Sequence, residues 1–343
     1  MVPRLVPSRP PAVLLAAAVA LMVATPAAAK DITVNPGTNT IQAKINQASN
    51  GDRLLLKPGG YTITQTVRVN KRLTILAQNS NNRPNLYNGG ELADWKSLMI
   101  VNGPGSGTTI RRLNFTRCER GAAINIRDCA DVTVAGCQIK DCGSSGVLME
   151  RAGNIEVKNC TVRRCLLKAK AGYKYYIPGW LWGAAVSCLE GSDITVFDNR
   201  IYENHGEGIL IQGVFNADII GNYCADNFSV NLYLNHVRNA VVQYNTVTST
   251  WKTAYYRGGE PAFGIGVSNE NATPYWTTSD NVLIANNDVL NTRSGVWIPR
   301  EGWGNYAAVT KTRINNNRFR NVWGNWIVNG WGGNITNRGN DGF

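Results

Sequence analysis

The stretch 199–213, NRIYENHGEGILIQG, decides the fold. It carries two short runs in which apolar and polar residues alternate, separated by a turn, and it opens on an asparagine that returns at a fixed interval. Asn199, Asn222 and Asn245 are each 23 residues apart, and Cys137 and Cys160 extend the column upstream at the same spacing. With insertions the column continues to Asn287 and Asn317. Self-similarity at a fixed period of this length marks a solenoid, in which each repeat buries its apolar face against the next. No unit contains a convincing amphipathic helix. Each contains three β-rich runs, clearest as ITVFDN, RIYEN and GILIQG, so one coil has three sides.

The third run gives the inside-outside pattern. Val147, Val186, Ile209, Leu232, Ile265, Val296 and Ile327 form one apolar column, and Met149, Cys188, Ile211, Leu234, Val267 and Ile298 form another. Both face the core. The alternate columns, Leu148, Ser187, Leu210, Tyr233, Gly266, Trp297 and also Gly146, Gly208, Asn231, Gly264, Gly295, are mixed and are expected to point outward. Equivalent residues of adjacent turns stack at about 4.8 Å, so the asparagine column can bond side chain to side chain along the axis. Cys118, Cys142 and Cys165 share a column with Asn204 and Asn227, a bend that favours small side chains. The eight cysteines therefore read mostly as small buried hydrophobes, with a disulfide framework as the alternative.

Residues 40–63, TIQAKINQASNGDRLLLKPGGYTI, resemble the entry segment of the pectin-lyase-like, right-handed parallel β-helix superfamily. A short helix over 41–48 would cap the open end of the core, where free backbone groups would otherwise recruit other chains. The resemblance implies an all-β right-handed parallel β-helix of three sheets. It covers one domain over 30–343, with an N-terminal cap and entry over 30–60 and a C-terminal cap over 318–343. It does not select an activity, since the superfamily includes lyases, epimerases, hydrolases, esterases and adhesins. The clustered aspartates of its hydrolases and the aspartate set of its calcium-dependent lyases are not found here. Nor does the lysine-plus-arginine pair of its alginate and chondroitin lyases map onto this chain residue by residue.

Residues 1–29 combine two arginines, the apolar run AVLLAAAVALMVA and the small-residue stretch TPAAA, the pattern of a removable secretory signal. That run is too short to span a bilayer; a secreted protein, expected to be monomeric, is the reading. The net charge is +12 over the whole chain and the basic residues are dispersed. For a secreted protein this points to an acidic polysaccharide as partner, and no recognised nucleic-acid-binding motif occurs.

Departures from the period show where a site is built. The insertions 166–182 and 251–263 enter just before the third run, and 268–280 and 300–311 leave just after it, so all four flank one side. His205 and Glu207 lie in the turn into that run, and His236 leaves it one coil later. The expected groove has a floor of Asn231, Tyr233, Asn235, Gln212 and Trp297. Its walls would carry Lys174, Tyr175, Tyr176, Tyr255, Tyr256 and Arg257. Aromatic faces stack on sugar rings and cations neutralise carboxylates. A base of near-neutral pKa removes the proton beside a uronate carboxyl. His205 or His236 is the candidate base, Tyr233 the acid, with Arg257, Arg300 and Lys174 as neutralising cations. Glu203 and Asp226 share a column on adjacent coils and could hold calcium or be neutralised by Arg164; no cofactor is required. The expected activity is β-elimination or C5 epimerisation of a uronate polysaccharide. A non-catalytic glycan-binding or cell-surface structural β-helix and a glycoside hydrolase are the alternatives.

Overall fold

A computed structural model describes residues 28–94, 96–170, 183–270, 278–299, 306–329 and 335–342. The chain winds into a parallel three-sided coil. Its second side is a 12-stranded sheet, while the third and first sides together form an 18-stranded sheet. In the longest coils these two runs fuse into single strands, Ala184–Phe197, Glu207–Ile220 and Val230–Gln243, that bend at residues with positive φ such as Asp193, Asn216 and Asn239. The 23-residue register is the pairing register: Ile209 lies beside Leu232, and Ile211 beside Leu234. The helix spans Thr40–Gln47, one residue earlier than expected, and buries Ile41 and Ile45 at the N-terminal end. Near the other end, Ile327–Asn329 pairs with Val296–Ile298, and Thr336–Arg338 with Thr310–Asn315.

The inward columns are buried as expected, with Val186, Cys188, Ile209, Ile211, Leu232 and Leu234 at 0 % exposure. The asparagine column is a continuous ladder. Asn199, Asn222, Asn245 and Asn287 each donate Nδ2 to the Oδ1 of the next, at 2.8 to 3.0 Å, and each Oδ1 also accepts a backbone N–H from the coil before. The residue before each ladder position, such as Asp198, Tyr244 or Asn286, has positive φ, which makes the corner tight. Cys160 occupies the same place with a thiol 3.6 Å from the Val134 carbonyl, a weaker version of the same bond. All eight cysteines are free and buried.

One expectation is corrected. Gly146, Gly208, Gly264 and Gly295 do not point outward, because the chain bends into the third side and turns this column toward the core. A Cβ on Gly146 would lie 2.5 Å from the Val162 side chain, and one on Gly295 would lie 2.5 Å from the Phe319 ring. Asn231 shares that column. It is fully buried and its Oδ1 accepts from Asn227 Nδ2 at 2.8 Å, ending a second ladder that runs through Asn204. It is part of the interior and not of a groove floor.

Candidate active site on the third side

The outward positions of the third side begin with apolar residues, Leu148, Leu189, Leu210 and Val230, which form a cluster separate from the core. Four aromatic rings then gather on three coils. Trp297 stacks on Phe263 at 5.1 Å, meets Tyr306 edge-on at 5.8 Å and lies 6.1 Å from Tyr233. Gly266 sits between Tyr233 and Trp297 in register. A Cβ there would come within 2.8 Å of the Tyr233 ring and 3.3 Å of Trp297, so the absence of a side chain keeps the slot open.

Two carboxylates meet at this slot. Glu207 is the first residue of its strand and is 5 % exposed. Among the described residues its Oε2 has no hydrogen-bond partner. Burial, and then the negative charge of Glu270, push its carboxyl well above the usual range, with the Arg257 guanidinium opposing. Glu270 arrives from the other side, just after the strand Phe263–Ser268. A web of bonds fixes it there. Tyr233 donates its hydroxyl to the Glu270 carboxylate. Asn235 Oδ1 accepts the Glu270 backbone N–H at 3.0 Å, and His236 Nε2 donates to the Glu270 carbonyl at 2.8 Å. An antiparallel bridge to Tyr306 and a 2.8 Å bond from Ala307 N–H to the Asn269 carbonyl hold the same segment from above. Burial and the two glutamates push the Tyr306 hydroxyl up to about 12 and raise that of Tyr233 well above its ordinary value, so both phenols keep their protons. Among the described residues Gln212, 2 % exposed, leaves its Nε2 without a partner, so a buried acceptor and a buried donor on one flank each lack a described partner.

The sequence-selected residues divide clearly. Tyr233, Asn235, His236, Glu207, Gln212 and Trp297 come together. His205 stacks on Tyr255 at 4.8 Å. Arg257 lies on the turn Arg257–Gly259 and, with Phe228, Ser229, Glu260, Phe263 and Arg293, lines an adjoining cavity of about 350 Å³. Tyr256 does not face the groove: it is 5 % exposed and its hydroxyl donates to Asp226 Oδ1 at 2.7 Å. Asp226 also accepts from the Thr250 N–H and hydroxyl, and Glu203 pairs with Lys252. These two acids therefore pin the insertion 251–263 to the coil, while Arg164 is taken by Asp141. Among the described residues no group of three His, Cys, Asp or Glu side chains could hold a metal ion. Lys174, Tyr175, Tyr176 and Arg300 lie outside the described residues. Sequence reasoning missed Glu270 and Tyr306. Their signal was position: Glu270 is the acid nearest the start of the insertion that leaves the third run, two residues past the outward Ser268.

The family model described as right handed beta helix region matches residues 53–179, 97–272 and 180–341, and the chain belongs to that family. Among solved structures it is similar to the polygalacturonase from Erwinia carotovora ssp. carotovora. The two share 10 % identity at a TM-score of 0.63, over 90 % of this chain and 97 % of that one. It is also similar to the Dettilon tailspike protein, with 14 % identity and a TM-score of 0.60, over 89 % of this chain and 63 % of that one. A third is the alginate lyase from Paenibacillus sp. str. FPU-7, with 14 % identity and a TM-score of 0.53, over 89 % of this chain and 99 % of that one. At such identities the likeness is one of fold. Among the described residues no helix is long and apolar enough to cross a membrane.

Proposed function

We propose that this protein is a secreted glycoside hydrolase acting on an acidic polysaccharide, with Glu207 as general acid and Glu270 as its partner carboxylate. The observation that carries the reading is the Glu207 carboxyl: buried, without a described partner on Oε2, and raised by burial and by the charge of Glu270. Two carboxyls whose environments differ are the usual equipment for glycosidic cleavage. Glu207 gives its proton to the glycosidic oxygen as the bond from that oxygen to C1 breaks. Positive charge develops at C1 and faces Glu270, which takes a proton from the water that adds there. The leaving sugar departs with a free hydroxyl, Glu270 releases its proton to solvent, and Glu207 regains one. Trp297, half-buried beside Tyr233, supplies a flat apolar face for a sugar ring, and Arg257 at the mouth suits a uronate carboxylate.

Of the chemistries open from the sequence, elimination and epimerisation need a base beside C5. The two histidines expected in that role are engaged elsewhere, His205 against Tyr255 and His236 on the backbone of Glu270. Tyr233, raised and donating, is a poor base. Product analysis tests the reading. Incubation with polygalacturonate and alginate is expected to release reducing ends with no ultraviolet absorbance from unsaturated uronate, and Glu270→Gln is expected to abolish release. Unsaturated ends, or full activity in Glu270→Gln, would overturn it.

A further inference from the structure

The outer face of the second side carries a separate polar hollow of about 560 Å³, lined among others by Asn114, Gln138, Lys140, Thr161, Arg163 and Tyr202. It lies around the corner from the glutamate site and on coils nearer the N-terminus. Lys140 and Arg163 stand directly in register on adjacent strands, Gln138–Lys140 and Thr161–Arg163. Like charges directly opposite one another are destabilising, and no carboxylate relieves this pair among the described residues. The acids one position further along are taken, Asp141 by Arg164 and Glu203 by Lys252. Arg163 instead lies over the Tyr202 ring at 5.9 Å. On the strand before, Asn114 Oδ1 is buried and lacks a hydrogen-bond donor. The hollow thus has two needs at once: negative charge for an in-register cation pair, and a hydroxyl or amide donor for an orphan acceptor.

We propose that this hollow is a non-catalytic binding site for an acidic polysaccharide, taking the carboxylate of a uronate ring between Lys140 and Arg163 and a ring hydroxyl at Asn114. Adjacent coils repeat at about 4.8 Å, so an extended chain laid along the axis meets a new row of amide, hydroxyl and cationic side chains on each coil. A uronate supplies both the charge and the donor. A phosphodiester backbone supplies the charge, and the one aromatic face at the site is already covered by Arg163. The inference shares its polymer class with the function proposed above and does not depend on hydrolysis being the reaction.

The test is affinity electrophoresis of the Glu207→Gln protein in gels containing polygalacturonate, so that the probe is not consumed. Adding Lys140→Gln and Arg163→Gln is expected to weaken retardation about tenfold, equivalent to ~1.4 kcal/mol, with the single Lys140→Gln change intermediate. Circular dichroism identical to the parent establishes that the fold is intact. In the otherwise unaltered protein the same two substitutions are expected to leave turnover of short oligosaccharides unchanged. Equal retardation with and without the substitutions would overturn the proposal, as would stronger retardation by single-stranded oligonucleotide than by polygalacturonate. Retardation that depends on Lys140 and Arg163 in a protein without hydrolytic activity would support this site while removing the reaction assigned to Glu207.

Discussion

Replacing Asn222 by alanine isolates what the asparagine ladder contributes. Its Oδ1 accepts two bonds from Asn199, one from the backbone N–H and one from Nδ2, both 3.0 Å. Its Nδ2 donates to the Val196 carbonyl at 2.8 Å and to Asn245 Oδ1 at 3.0 Å. The site is 1 % exposed, so water does not replace these partners. Alanine removes the acceptor of the Asn199 N–H and of one Asn199 Nδ2 hydrogen, and takes one donor from the Val196 carbonyl, all in the interior. At about 1 to 2 kcal/mol for each of these groups, the loss is about 3 to 6 kcal/mol. That is a large part of a typical folding free energy of about 5 to 15 kcal/mol. Asn340 ends the ladder where it is half-buried, and Asn340→Ala is expected to cost no more than about 1 kcal/mol, because solvent reaches its partners. Urea unfolding followed by far-ultraviolet circular dichroism measures both. A cost for Asn222→Ala within about 1 kcal/mol of that for Asn340→Ala would refute the ladder as the source of coil-to-coil stability.

Three further outcomes follow from the site and its supports. Gly266→Ala puts a methyl 2.8 Å from the Tyr233 ring, and is expected to keep the fold and lower kcat/KM about tenfold or more by closing the aromatic slot. Steady-state kinetics and circular dichroism of one preparation check both halves. Tyr256→Phe removes a buried donor from Asp226, costs about 1 to 2 kcal/mol locally, and is expected to speed proteolysis within 251–263. Glu207 ties stability to pH: its folded carboxyl is raised above the ordinary 4.5, so the folded state binds this proton more tightly than the unfolded chain. That contribution is complete below the ordinary carboxylate range and is lost as pH rises from there through the folded value. Glu207→Gln is expected to flatten this part of the profile, seen as a smaller fall in urea midpoint as pH rises above the ordinary carboxylate range; an unchanged slope would contradict it.

The fold was legible because it is written in a period. Side chains 23 apart in sequence become neighbours, so the ladder through Asn199, Asn222 and Asn245 and the column of Val186, Ile209 and Leu232 could be read directly. Alternation alone misled at the corner into the third side, where the bend turns Asn231 and its glycines inward. The flank of the site was legible from the insertions, and Tyr233, Gln212, Glu207 and Trp297 do converge there. Its chemistry was not. Glu270 and Tyr306 sit on segments that leave the repeat and meet through an antiparallel bridge and the bonds beside it, which no periodicity encodes. The roles of Tyr256, Asp226 and Glu203 depended on where the insertion 251–263 lies down on the coil, which is a matter of packing and not of register.

The pH dependence of kcat for reducing-end release, in the parent protein and in Glu207→Gln, tests the assignment of the buried carboxyl most directly. A basic limb above the ordinary carboxylate range is predicted for the parent, together with a fall in kcat of at least about 10²-fold in the variant. A parent profile with no basic limb, or a variant that turns over at the parent rate, would contradict the assignment of Glu207 as the proton donor.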